Sequence, residues 1–319
     1  MTTGGLIQTG TFPKFLEDRK NATQRGIDLA IKKAQYPMYM RDGGAASHMT
    51  ERMEDVEGIG MLERWQEGTP RALRSPNFGW VQTISQMQFG ARIAITKQMR
   101  KFKRWDVLNE TLTQVKDRVP QTLDFLFINY LAQGEATSNP TQNGVPIINL
   151  FTGDGESLFD QAHAWRNGGG TYSNHYTSSS DLTEAVIFEL HKLAFGWKDH
   201  NYIPLNLGVK SLLIPVAKEK DAIIVMKSLK DPTTANNAYN TTTEFLKGGY
   251  EVLSYLTSTS EWYALTGQNE DLPTFKWGWK PEVETTGPET NNLSVQEIGV
   301  DFSVGHAAPI HPFGIGKVG

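Results

Sequence analysis

Trp105, Leu108, Leu112, Val115, Val119, Leu123, Leu126 and Tyr130 recur at spacings of three and four, which is the period of one helix face. The pattern predicts a single long helix over residues 104–131, roughly 42 Å long at about 1.5 Å per residue. Pro120 lies inside it, and Gly134 and Pro140 end it. A stripe at that spacing reads as core. Ahead of it, Met87, Phe89, Ala91, Ile93 and Ile95 alternate with other residues within 82–99, the period of a strand. The charged segment 61–73 is the candidate partner strand, with Arg74-Ser75-Pro76-Asn77-Phe78-Gly79 as a turn-rich joint. Together they predict a long two-stranded hairpin, which is marginal alone in water and should lie on a neighbour.

On either side the pattern is more broken. Thr11 caps a helix whose first positions are Phe12 and Pro13, and Phe15, Leu16, Ile27, Leu29, Ala30 and Ile31 give it an interrupted apolar face. Such an arm helix needs a partner, expected here to be another subunit, and residues 36–60 read as an extended connector. After the long helix comes a glycine-rich stretch, 153–170. Asp181, with Glu184 three residues later, opens a helix with Leu182, Ala185, Val186, Leu190, Leu193 and Trp197 on its face. A buried-type strand at 209–215, a helix at 218–229 and a polar loop at 231–243 follow. Strands are predicted at 251–256, 262–265, 274–279 and 295–304. Helices and strands mix without regular alternation or internal repeat, so the fold class is α+β.

Composition narrows the function. Of 319 residues 39% are hydrophobic and 21% charged, enough to build a core and too apolar for a disordered chain. The length suits one large domain or two subdomains; two are expected. A net charge of -4 supplies no basic field for holding DNA phosphates. The chain has no cysteine, which excludes disulfides, thiolate metal sites and thiol nucleophiles and fits a reducing cytoplasm. No basic-then-apolar leader opens the sequence, and no apolar run approaches the roughly 20 residues of a membrane span.

Candidate chemistry is thin. Of the seven histidines, His306 and His311 flank Pro309 and cannot share a helix face as a zincin pair would; they read as loop residues, as do His163 and His175 around Gly168–Gly170. Gly314-Ile315-Gly316-Lys317 lacks the helix that a phosphate loop requires. Glu54 with Asp55, and Glu270 with Asp271, read as solvated carboxylate pairs. Trp65, Phe78 and Trp80 stand apart, because large aromatics on a projecting hairpin are costly to expose and point to a protein contact. The other reading is a small satellite core inside the loop.

The order of elements is an arm, a long hairpin, one long helix, a glycine-rich passage, a mixed region and a returning strand. With Phe89-Gly90-Ala91-Arg92-Ile93-Ala94-Ile95-Thr96, Leu158-Phe159-Asp160-Gln161-Ala162-His163, Leu212-Leu213-Ile214-Pro215, Glu261-Trp262-Tyr263-Ala264-Leu265 and Val300-Asp301-Phe302-Ser303-Val304-Gly305, it resembles the tailed-bacteriophage major capsid protein family with the Hong Kong ninety-seven fold. The resemblance implies an N-terminal arm (1–60), an extended loop (61–99), a peripheral domain with its spine helix (100–180), an axial domain (181–273) and a return to the peripheral domain (274–319). It implies a structural protein with no cofactor or metal, forming homo-pentamers and homo-hexamers of an icosahedral shell around double-stranded DNA. Implied partners are a portal protein, a separate scaffolding protein or none, a decoration or cement protein, and packaged DNA held without sequence specificity; no membrane is involved. The implied location is the virion capsid, assembled in the host cytoplasm. Arg64, Trp65, Arg71, Arg74, Phe78 and Trp80 of the loop are the expected intersubunit contacts. Some family members join a loop lysine to a neighbour's asparagine, but residues 34–96 contain no lysine, so a shell without crosslinks is expected. Two other readings stand beside this one: a nanocompartment shell of the same fold, and a metal-dependent soluble hydrolase using His163, His175 or His306.

Overall fold

The computed structural model describes residues 12–39, 50–56, 61–62, 64–71, 73, 78–102, 104–142, 144–146, 150–165, 168–199, 201–227, 240–266, 282–290, 296–306 and 308–319. Helix α1 (Phe12–Ile31) is followed by strands β1 (Thr50–Val56) and β2 (Phe78–Ile95), a short helix α2 (Lys97–Lys101) and the long helix α3 (Trp105–Ala132). Two small hairpins come next, β3 (Thr141–Gln142) with β4 (Val145–Pro146) and β5 (His163–Ala164) with β6 (Thr171–Tyr172). Then come β7 (His175–Tyr176), α4 (Glu184–Phe195), β8 (Val209–Ile214), α5 (Glu219–Lys227), α6 (Thr242–Phe245), β9 (Gly249–Val252) and β10 (Trp262–Thr266). Strands β11 (Glu282–Thr290), β12 (Gln296–His306) and β13 (Ile315–Val318) close the chain.

A five-stranded sheet, order β7-β13-β10-β8-β9, divides the core in two. Side chains of successive strand residues point to opposite faces, and the sheet uses both. Leu213, Tyr263, Leu265 and Ile315 face one cluster with α3, whereas Leu212, Ile214, Trp262, Ala264 and Val318 face another with α4 and α5. Strands buried on both faces read as near-continuous apolar runs, as Leu212-Leu213-Ile214 and Trp262-Tyr263-Ala264-Leu265 do. The sheet therefore lies between the long helix and a layer of shorter helices.

A second, antiparallel sheet has the order β1-β2-β12-β11. Strand β12 buries Ile298, Val300, Phe302 and Val304 in alternation and pairs with β2 from Gln296↔Ile95 to His306↔Ser85. The partner of β2 across the hairpin is β1, with Thr50 opposite Ser85 and Val56 opposite Phe78. This corrects the expected pairing: the described residues of 61–73 form no strand, and the hairpin arms are 50–56 and 78–95. Thr50-Glu51-Arg52-Met53-Glu54-Asp55 was hidden because it lacks the apolar alternation that marks a half-buried strand.

The arm helix is tied to its own chain. Leu16 and Ile27 are fully buried, and α1 packs along α3 and β11. The Asp124 carboxylate in α3 accepts the backbone N–H groups of Gln35 and Tyr36 at 2.9 and 2.8 Å, and Gln35 donates to the Val252 carbonyl at 2.8 Å. The expectation that another subunit holds this helix is thus replaced by an intrachain anchor. Helix α4 is capped by Thr183, whose hydroxyl accepts from the Val186 N–H, rather than by Asp181. The predicted strand at 274–279 lies outside the described residues. The terminal stretch divides between both sheets, β11 and β12 beside β2 and β13 beside β10.

Candidate subunit-contact site

Every described residue from 61 to 73 is exposed. Met61, Leu62 and Leu73 are 69%, 85% and 94% exposed, and Phe78 at the start of β2 is 71% exposed. Within this exposed segment a small turn is already ordered. The Trp65 indole N–H donates to the Thr69 carbonyl at 2.7 Å, and the Thr69 hydroxyl and N–H both donate to the Gln66 carbonyl. Gly68, at φ +90°, makes the left-handed step that a side chain would resist. The Arg71 guanidinium then lies 4.8 Å from the centre of the Trp65 ring, a cation–π stack. Arg64 is exposed beside it, and Arg74 lies outside the described residues.

Trp80 behaves differently from Trp65 and Phe78. It is half-buried near the start of β2, 5.0 Å from the His311 ring, and His311 pairs through Nε2 with the Asp55 carboxylate of β1 at 2.9 Å. A Cβ on Gly153 would come within 2.9 Å of Trp80 and 2.7 Å of Ile310, so glycine permits this approach. The Gln82 side chain donates to the Phe151 carbonyl. The start of β2 is thus clamped to the glycine-rich passage while the described loop residues stay exposed.

Of the spine residues, Leu108, Leu112, Val119, Leu123, Leu126 and Tyr130 are buried, while Trp105 and Val115 are half-buried at the edge of the same stripe. Gly134 follows the helix where a Cβ would come within 2.5 Å of the Phe159 ring, and its carbonyl accepts the Phe159 N–H at 2.9 Å.

The histidines read from sequence as loop residues occupy built environments. His163 is fully buried and lies between the Asp154 carboxylate at 3.0 Å and the Asn174 side-chain oxygen at 3.2 Å. Burial pushes Asp154 up, but hydrogen bonds from His163 and Thr152 outweigh it and hold its carboxyl at about 2. Lys317, 1% exposed, meets Glu135 at 2.9 Å and Glu261 at 3.0 Å, and His175 meets the same Glu135 oxygen at 2.9 Å. Burial again opposes, yet His175 and Lys317 lower Glu135 to about 2. His175 is driven down by burial but raised on balance by Glu135 and the Gly319 carbonyl. His306 sits in the main core, edge-on to Tyr130 and Phe127, and burial lowers it to about 4. Among the described residues no three His, Asp or Glu side chains converge as metal ligands, and no helix is long and apolar enough to cross a membrane. These clusters tie the glycine-rich passage and β13 to the core; sequence alone gave no signal for them, because their partners lie far apart in the chain.

A sequence model of the family described as Phage capsid protein matches residues 80–317, well over half of the chain. The chain belongs to the Phage capsid protein family. No curated protein matches it in sequence. Among solved structures, the capsid of Myoviridae phage XM1 is 9% identical, with 88% of each chain covered and a TM-score of 0.50. A chain of Mycobacterium phage Patience is 11% identical over 99% of this chain and 89% of that one, with a TM-score of 0.48. A virus-like particle from Pyrococcus furiosus is 10% identical over 93% and 98%, with a TM-score of 0.45. The capsid protein has the Hong Kong ninety-seven fold and is a structural subunit, not an enzyme. Its place is the virion shell, where it associates with copies of itself.

Proposed function

We propose that the capsid protein forms the pentamers and hexamers of an icosahedral phage head enclosing double-stranded DNA, and that Arg64, Trp65, Arg71, Arg74 and Phe78 at the hairpin tip contact the neighbouring subunit. The observation that carries this is the tip itself, which exposes Met61, Leu62, Trp65, Leu73 and Phe78 together. Several large apolar side chains exposed on one short segment point to a protein contact, and the ordered Trp65–Arg71 stack has the residue types that dominate interfaces. The net charge of -4 suits an inner wall that does not trap a mobile genome. A portal protein, a separate scaffold or none, and a cement protein complete the proposed set of partners, with assembly in the host cytoplasm.

Replacing residues 62–73 by a short Gly-Ser segment tests the role of the tip. The subunit is expected to keep its circular dichroism and melting temperature but to yield no closed shells by size-exclusion chromatography and electron microscopy. Normal shells from this variant would overturn the role given to the hairpin. Particles of the parent chain isolated from infected cells should contain double-stranded DNA; an enclosed enzyme without nucleic acid would instead mean a nanocompartment.

A further inference from the structure

Helix α4 is apolar on both sides. Val186, Ile187 and Leu190 enter the core beneath the five-stranded sheet, and Ala194 packs with Tyr172, Trp197 and Leu207. The opposite side carries Ala185, Phe188, Lys192 and Phe195, all exposed. Phe188 and Phe195 are each 48% exposed, and the His191 ring bridges them with centroids 6.2 and 4.9 Å away. The three rings make one row along the helix. A row of large rings opposite a buried face is a surface that a partner ordinarily covers.

A second apolar patch lies on the same helical layer. Ala222 and Val225 of α5 point into the core, which leaves Ile223 and Ile224 outward at 39% and 41% exposure, with Val216 just before the helix at 61%. Exposed Lys220 and Lys227 stand about one turn to either side of the isoleucines. On the α4 row, Glu189 and Lys192 pair with each other at 2.6 Å, so that flank is neutral. Glu219 and Asp221 in the first turn of α5 offset its lysines, so charge does not choose the partner face, but two α5 patches or two α4 rows facing each other would make a two-fold contact that stops at a dimer. An α4 row facing an α5 patch has no such limit and sets aromatic rings on aliphatic side chains.

We infer that Phe188 and Phe195 of one copy pack on Val216, Ile223 and Ile224 of the next copy. The occupant is a second copy because both halves of the contact are present on every chain and the family builds its shell from copies of one subunit. A contact between two different patches is head-to-tail and closes into a ring when the rotation allows. The inference rests on the proposed pentamers and hexamers and names the surfaces that join their members.

The chain has no cysteine, so an introduced pair is unique. Particles of a Phe188→Cys, Ile224→Cys double variant, treated with a short bismaleimide and run on a denaturing gel, should give a ladder that stops at the ring size, while each single variant stays monomeric. A dimer from Phe188→Cys alone would mean that the aromatic rows meet each other, and would overturn the inference. So would assembled particles of the double variant that give no ladder. Phe188→Asp, on an exposed surface, should keep the folded circular dichroism and lose capsomers; unchanged capsomer yield also counts against the contact. If the parent chain forms neither rings nor shells under the microscope, the proposed function itself fails, an outcome distinct from the others.

Discussion

His306 sits fully buried in the core, edge-on to Tyr130 and Phe127. An imidazole free in water takes its proton near pH 6.5, whereas buried His306 takes it only near 4. The unfolded chain therefore binds the proton first as pH falls. The stability involved is full above pH 6.5 and lost between 6.5 and 4, amounting to roughly 3 kcal/mol in all. His306→Phe removes the titrating group, so the unassembled variant should lose about 2 kcal/mol less than the parent between pH 7 and pH 4.5. Urea midpoints at the two pH values measure this, and parallel losses in both proteins would refute it. Asp154 and Glu135 act further down the scale. Each is held at about 2, so the stability they contribute is present above their ordinary values near 4 and lost as pH falls toward 2.

Helix α3 owes its position to one face and its ending to one glycine. Leu123 is fully buried on that face, in the cluster that joins the long helix to Tyr263, Leu265 and Ile315 of the sheet. Leu123→Asp would bury a charge there at a cost of roughly 4 kcal/mol or more. Insoluble protein is expected, assayed by the fraction recovered after centrifugation of a lysate. Recovery equal to the parent's would mean that the buried face is misassigned. The hairpin is the contrasting element, since the loop ends of its strands are fixed by Trp80, His311 and Asp55 while the described loop residues are held by local hydrogen bonds and the Trp65–Arg71 stack.

The assembled shell is expected to draw its stability from surfaces rather than new covalent bonds. Residues 34–96, which include the whole hairpin, contain no lysine, and the protonated guanidinium groups of Arg64 and Arg71 make ion pairs and stacks, not amide bonds. Boiled mature particles should therefore run as a single band near 35.6 kDa on a denaturing gel. A ladder of covalent oligomers from unmodified particles would sink this expectation.

Wherever burial repeats at a local period, the chain announces its own structure. The stripe from Trp105 to Tyr130 gave the long helix, the runs at 212–214 and 262–265 gave two strands of the central sheet, and the alternation at 298–304 gave β12. The absence of lysine in the hairpin and of cysteine throughout is likewise a property of sequence alone. Tertiary structure decided the rest, because it depends on partners distant along the chain. Strand β1 is too charged to show a period and is defined by Thr50 opposite Ser85. The arm helix needed a partner, but only the fold showed that Asp124, some 89 residues from Gln35, secures its end. Lys317 looked like part of a failed phosphate loop and became a buried cation between Glu135 and Glu261. A local pattern records whether a residue is buried; which residue buries it is settled only when the chain closes on itself.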